Sequence, residues 1–385
     1  RVALFDINAK FRSAIERGEM PFLEYGAEPI LKRVIGRSLH IVDNISHLAE
    51  SWVIIITIGT PVDEYLNPKT QHILKLTEDI SPYLSEDQCV ILRSTVFPGT
   101  TKIVKRAFER MGRSVHVANC PERIVQGYAI DELRKLPQII SGFSSTAVQM
   151  ARELFERLGV ETILVSDLEA ELTKLFANSW RYIQFAITNQ FYMMAMEHGA
   201  DFNQIYRALT YNYTRAKDLP RPGFAAGPCL LKDTLQLAAF YGNHFQLGHA
   251  AMMVNEGLPD FIVRQLQRDY GRDLATLHIG ILGMAFKADS DDIRDSLSYK
   301  IAKLLRFHGA TVVCSDEFVR DETFVSKEEL IQTCPVIVVG APHTAYRNLE
   351  IPKSTRVIDL WNIVQISEGA SASKKVTDQL SVSVS

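Results

Sequence analysis

One uninterrupted helical pattern limits what this chain can become. From Asp167 to Gly199 the segment DLEAELTKLFANSWRYIQFAITNQFYMMAMEHG keeps a helical period until its closing glycine. At 1.5 Å per residue it spans roughly 45–50 Å, more than one compact domain needs. A helix of that length joins domains or packs against a second copy. The sequence on either side has a different rhythm.

Before the helix, RVALFDI reads as a strand ending at Asp6, and a helical pattern follows from Asn8 to Arg17, stopped by Gly18. WVIIITIGTP and CVILRSTVFPGTT are short runs without a polar face, interleaved with the helical stretches TQHILKLTEDISPYL and TTKIVKRAFERM. After the helix, more helical sequence reaches about Gly271. There LHIGILG and ATVVCSD flank SLSYKIAKLLRFHG, and CPVIVVGAPH and TRVIDLW follow. Strands apolar on both faces, alternating with helices, predict parallel sheets covered on both sides. The expected fold is α/β: two doubly wound Rossmann-like domains, residues 1–165 and 272–385, joined by a central helical region, 166–271. The tail from Ser367 has no strong period and is expected to fray.

Composition excludes several classes of function. The 385 residues carry a formal net charge of −3 and a pI near 6.4, so no global basic surface points to nucleic acid or anionic lipid. The longest apolar run, WVIIITIG, is too short to cross a bilayer, and no signal-peptide pattern opens the chain. Five cysteines, odd in number and without a C-x-x-C pair, argue against disulfides and a metal site and for a reducing cytoplasm.

Candidate chemistry gathers at strand ends and on the long helix. An acid at the end of a strand, like Asp6, receives ribose hydroxyls in a dinucleotide-binding unit; it equally serves as a helix cap. The Gly-rich phosphate turn of such a unit belongs roughly 20 residues earlier, so the first βα unit is expected to be missing from this sequence. Thr60-Pro61 and Ser94-Thr95 close later strands on the side where ligands bind, which favours the cofactor reading. GILGMAFK, Gly280 to Lys287, is a rival dinucleotide turn lacking a third glycine. Its polar continuation, with Lys287 and Arg294, suits phosphate or ribose contacts or a solvated loop. Glu171, Lys174, Asn178 and Arg181 step by three, four and three along the helix and share one polar stripe among apolar flanks. Cys229 follows Gly223, Ala225, Ala226, Gly227 and Pro228, a loop open to close approach by a ligand. A lone cysteine is most often a small buried hydrophobe, but Lys232 and Asp233 stand within a turn of it, and a nearby cation lowers a thiol's pKa.

FDIN…GEMPFLEYG, GTPVDE, STVFPGTT, NCPERIVQG, KLFANSWR, GFAAGPCLLKD and GMAFKADSDDIRDS, in that order, resemble the UDP-glucose/GDP-mannose dehydrogenase family of nucleotide-sugar 6-dehydrogenases. The resemblance implies an NAD-binding domain, a helical dimerisation region making a homodimer, and a C-terminal domain for the sugar's nucleotide. It implies that Cys229 is the nucleophile, Lys174 and Asn178 the oxyanion-stabilising pair, and Asp233 the carboxylate near the attacking water, with Thr95 and Glu122 beside them. Asp6, Thr60, Pro61, Ser94 and Thr95 fall on the NAD side; Glu122, Arg181, Gly227, Phe286 and Lys287 fall on the substrate side. The implied reaction is a four-electron oxidation of a C6 hydroxyl to a uronic acid through a thiohemiacetal and a thioester. Gln126, where the family often has a second glutamate, and Trp361-Asn362, where it usually has an arginine, depart from the pattern. NSWR and STVFPGTT lean toward UDP-N-acetylhexosamines, and CLLKD toward UDP-glucose. A 3-hydroxyacid or 6-phosphogluconate-type dehydrogenase also pairs Lys and Asn on a long helix, but its single hydride transfer needs no thiol. A nucleotide-sugar-binding protein impaired in catalysis is the other alternative.

Overall fold

Strands without a polar face stay buried only when helices cover both sides of their sheet. The computed structural model describes residues 1–60, 62–63 and 69–364, and it meets that requirement twice. The first unit runs β1 (Val2–Leu4), α1 (Ala9–Glu16), α2 (Ala27–Val34), β2 (Leu39–Ile41), β3 (Val53–Ile56), α3 (Gln71–Ile80) and β4 (Cys89–Leu92). It continues through α4 (Thr100–Arg110), β5 (His116–Asn119), α5 (Ala129–Glu132), β6 (Gln138–Ile140), α6 (Ser145–Glu156) and β7 (Thr162–Leu164). Every ladder is parallel. In β4, Val90 and Leu92 join Ile73, Ile80, Val104 and Phe108 on one face. Cys89 and Ile91 join Ala118, Ile140, Ala147 and Phe155 on the other.

The first unit is not one continuous sheet. β1 pairs with β2, β3–β4–β5 form a second ladder and β6 pairs with β7. Among the described residues no strand bridges β1 and β3, and Val2, Phe5, Ile7 and Ile55 are left exposed there.

The long helix α7 spans Asp167–Glu197 and is opened by a capping box, with Ser166 and Glu169 each bonding the other's backbone N–H. Glu171, expected to share a stripe with Lys174 and Asn178, is spent elsewhere. Its buried carboxylate accepts the N–H groups of Gly99 (2.5 Å) and Thr101 (2.8 Å) and the Thr101 hydroxyl (2.6 Å). A negative charge thus sits on the N-terminus of α4, where the peptide dipoles favour it, and locks α7 to the first unit. α8 (Phe202–Thr210), α9 (Leu230–Phe240) and α10 (Gln246–Tyr270) follow, and α9 and α10 pack along α7.

The second sheet is built from β8 (His278–Leu282), α11 (Leu297–Phe307), β9 (Thr311–Ser315), α12 (Lys327–Thr333), β10 (Val336–Val339) and β11 (Arg356–Ile358), in the order β11-β10-β8-β9. Ile279, Ile281, Val336 and Val338 face Tyr192, Leu258, Ile262 and Leu266, so this sheet shares one core with α7 and α10. Leu282, Ile337 and Val339 face Leu330 and Tyr346 on the opposite side. The tail from Ser367 lies outside the described residues.

Packing and a turn account for the glycines of GILGMAFK. A Cβ on Gly280 would lie 2.3 Å from Leu330 Cδ2 and 2.6 Å from its Cγ, while Gly283 turns at φ +92° against the Ala341 backbone. Gly280→Ala is therefore expected to destabilise the fold by about 1–3 kcal/mol through overpacking. Urea unfolding read by circular dichroism checks this, and an unchanged midpoint would show that α12 yields freely.

Candidate active site

The loop that delivers Cys229 is held from both sides before any chemistry is considered. Buried Asn189, on α7, accepts from Gly223 N (2.8 Å) and donates to Gly223 O (3.0 Å), gripping one residue by both its backbone polar groups. Asn189 also donates to Asn255 Oδ1 (2.9 Å), and Asn255 donates to Tyr182 O (2.9 Å), which ties α10 into the same relay. From the second sheet, the Trp361 ring lies against Gly223, where a Cβ would come within 2.1 Å of it. Gly227, at φ +99°, packs against Phe286, with 2.5 Å between an added Cβ and the ring. The chain leaves this clamp at Cys229, the N-cap residue of α9.

Asp233, one turn into α9 and fully buried, organises the polar groups around the thiol. Its Oδ2 accepts from Asn178 Nδ2 (2.5 Å), and its Oδ1 lies 2.9 Å from Lys232 Nζ. Lys232 also donates to the Thr60 carbonyl (3.2 Å) and hydroxyl (3.3 Å), and the Thr60 hydroxyl donates to Thr95 O. One lysine thus spans from α9 to the ends of β3 and β4. Lys174 stands one turn before Asn178. Burial pulls its ammonium down from the ordinary lysine range, against the upward pull of the Asp233, Cys229 and Glu122 charges.

The thiol does not behave as its neighbour Lys232 suggests. Although the residue is exposed as a whole, burial around the sulfur pushes Cys229 up, and the Asp233 charge adds to that. Lys232, Lys174 and Arg294 pull down and are outweighed. The expected lowering by a nearby cation is corrected here: desolvation wins, and the same carboxylate that holds Lys232 opposes the thiolate.

Glu122 reaches this cluster under restraint. Arg93 ion-pairs with it, and its Oε1 accepts from the N–H groups of Arg123 (2.6 Å) and Ile124 (2.9 Å). Arg93 is itself buried over the Phe155 ring (4.7 Å) and donates to Cys120 O (3.0 Å) and Gln138 (2.8 Å). Burial lowers Lys287 as it does Lys174, and the charge of exposed Arg181 adds a little to both. Lys287 crosses from the second sheet to donate to Gln126 O, so the departure at Gln126 is met through its backbone. Arg294, expected to suit phosphate, binds Asp292 bidentately instead (3.0 and 2.6 Å). On the other flank, Asp6 lies beyond the end of β1 and accepts from Asn8 N (2.6 Å), while Asn8 is the residue that caps α1. Ser94 donates to Ile58 O (2.6 Å). Pro61 lies outside the described residues. Asn189, Asn255 and Arg93 escaped the sequence reading, although Asn189 sits three helical turns from Asn178 on the same face.

Models of three consecutive domains match this chain: the NAD binding domain of the UDP-glucose/GDP-mannose dehydrogenase family over residues 1–159, its central domain over 168–257 and its UDP binding domain over 280–366. The chain belongs to that family. It is an oxidoreductase that uses NAD on nucleotide sugars. UDP-N-acetyl-D-mannosamine dehydrogenase from Pyrococcus horikoshii is 28% identical over 380 residues, covering 94% of this chain and 90% of its own. The Methanocaldococcus jannaschii protein of that name is 29% identical over 305 residues, covering 77% of this chain and 70% of its own. The solved structure of the Pyrococcus horikoshii enzyme matches with a TM-score of 0.86 at 27% identity, covering 94% of this chain and 90% of that one. UDP-glucose dehydrogenase from Pyrobaculum islandicum shares the fold, with a TM-score of 0.85 at 24% identity over 96% of this chain and 91% of its own.

The helices α4 and α9 leave polar atoms unmet beside Thr60. Thr100 Oγ1 and Gln236 Oε1 are buried without partners beside a small cavity also lined by Thr60, Val96 and Phe97. Buried polar atoms left in that state are met by an ordered water or by a polar group of a ligand.

Of the five thiols only Cys229 is exposed, and burial pushes Cys89 and Cys120 up to about 12. Iodoacetamide on the native protein is therefore expected to modify Cys229 alone, at a rate that climbs through alkaline pH. Peptide mass spectrometry checks this, and a rate already at plateau at neutral pH would show a thiolate that burial does not suppress.

Proposed function

We propose that this enzyme oxidises the C6 hydroxyl of a UDP-N-acetylhexosamine, with UDP-N-acetyl-D-mannosamine as first choice, to the uronic acid in two steps at one site. The observation that carries the reading is the meeting of Cys229, Lys174, Asn178 and Asp233 at the N-terminus of α9. The relatives' names support the choice of sugar. In this reading residues 1–165 take NAD, 166–271 carry the thiol, and 272–385 take the nucleotide. Asp6, Thr60, Ser94 and Thr95 would hold NAD, which supplies the hydride acceptor when bound.

Each residue then has a task its surroundings permit. The Cys229 sulfur adds to the aldehyde carbon, and the carbonyl oxygen becomes the alkoxide of a thiohemiacetal. Lys174 and Asn178 donate to that oxygen; one Asn178 N–H is bound by Asp233, which fixes the direction of the other. Loss of hydride leaves a thioester on the sulfur. Water held near Asp233 and Thr95 attacks the acyl carbon, releasing the carboxylate and the thiol. Glu122, Arg181, Gly227, Phe286 and Lys287 surround the sugar and its phosphates. Burial raises the thiol and lowers the ammonium, so their proton affinities move towards each other. The five unpaired cysteines suit a reducing cytoplasm. No helix among the described residues is long and apolar enough to cross a membrane.

The enzyme acts as a homodimer in this reading. Phe176, Trp180, Ile187, Phe191 and Met194 are 40–59% exposed and lie in one stripe along α7. Trp180→Glu should convert a dimer into a monomer in sedimentation velocity, and a wild-type monomer at micromolar concentration would remove this element.

Wild-type enzyme is expected to release two NADH per sugar. Cys229→Ala should lose the second oxidation, and Lys174→Ala should lower kcat by about 10²–10³. One NADH per sugar from the wild type would favour the 3-hydroxyacid type, and full turnover by Cys229→Ala would discard the thioester route.

The pH profile follows from the directions of the two shifts. Burial moves the thiol up and the ammonium down; activity should rise as the pair loses one proton, then fall as it loses the second and with it the oxyanion donor. The expected kcat/KM profile is a bell displaced to the alkaline side, and an optimum below neutrality would contradict it.

A further inference from the structure

Phe286 and Lys287 lie on the loop between β8 and α11, and the backbone on either side of them is held by one buried pair. Asp316, just past β9, accepts at Oδ2 from Met284 N (2.6 Å) and Ala285 N (3.0 Å), and at Oδ1 from Phe318 N (2.7 Å) and Val319 N (2.9 Å). His343, beyond the end of β10, is fully buried between the Phe318 and Tyr346 rings. Its Nδ1 accepts from Asp289 N (2.8 Å), so the proton is on Nε2, which donates to Asp316 Oδ2 (3.1 Å). Asp289 needs this hold because it turns at φ +49°, in the left-handed region that disfavours a side chain. Thr344 adds two bonds, N to Oδ1 (2.8 Å) and Oγ1 to Oδ2 (2.6 Å), and Tyr25 of the first unit donates to Asp289 O (3.2 Å).

We infer that His343 is a positioning residue for nucleotide-sugar binding: acting through Asp316 and Asp289, it fixes the loop that presents Phe286 and Lys287. It touches no ligand itself. Three residues separate Ala285 from Asp289, and the loop is pinned at both, which holds Lys287 where it reaches Gln126. Without the Nδ1 acceptor, Asp289 N loses its partner and the left-handed turn loses one support. The inference rests on the proposed placement of the nucleotide against this loop.

Calorimetric titration with UDP, together with steady-state kinetics, tests it on the full chain. His343→Ala is expected to weaken UDP binding about tenfold and raise the sugar KM to match, with kcat within about threefold of wild type. His343→Asn, which restores an acceptor near the Nδ1 position, should recover most of the affinity. Thr344 is exposed, so Thr344→Val spares the core and should weaken UDP by about three- to tenfold even if His343→Ala fails to fold. Wild-type affinity in both Thr344→Val and His343→Ala, or in Thr344→Val alone where His343→Ala does not fold, overturns the inference and leaves the function standing. A wild type that does not bind UDP overturns both. A loss confined to melting temperature marks His343 as structural only.

Discussion

The Asp233 carboxylate is the interaction on which the site depends. A buried charge is tolerated only with partners, and Asp233 has one on another helix and one beside it on its own. Asn178 comes from α7, and Lys232 carries the link to the ends of β3 and β4. Satisfying one carboxylate therefore brings the long helix, the thiol helix and the cofactor-side strands into register. The same charge has a chemical cost, since it raises the thiol that it helps to place. Burial first, and this acid second, shift the Cys229 thiol away from the thiolate, the form that oxidants attack.

Glu171 shows the same economy in a purely structural setting. It shares a helix face with Lys174 and Asn178, yet its carboxylate turns to the N-terminus of α4. Position along a helix fixes direction to within a face, and the tertiary neighbour decides whether a charge anchors or reacts. Arg93 is a second case: it bonds Glu122, Gln138 and Cys120 together and so ties the glutamate to β4.

Regular elements were legible because they follow periodicity. CVIL, apolar at each position, had to be a strand covered on both faces, and the long pattern ended where Gly199 turns at φ +68°. The interruption between β1 and β3 was not legible, since strands in separate ladders look alike in sequence. Spacing and motif exposed Cys229, Lys174, Asn178 and Asp233. Contacts between distant segments stayed hidden: Asn189 meets Asn255 across 66 residues, and Lys232 meets Thr60 across 172. Nor could adjacency give the sign of the thiol's shift, which depends on how much water the fold removes.

Gly223 and Trp361 are in effect one position written in two places. The indole occupies the volume of the side chain that residue 223 lacks, so a larger residue there demands a smaller one at 361. Gly227 with Phe286, and Gly280 with Leu330, repeat the relation. Two of these three pairs connect the thiol's loop to the second sheet. Drift in the half that reads the nucleotide is thereby coupled to the half that performs the oxidation. A change of substrate in this scaffold would have to proceed by paired substitutions, because neither partner is free to vary alone.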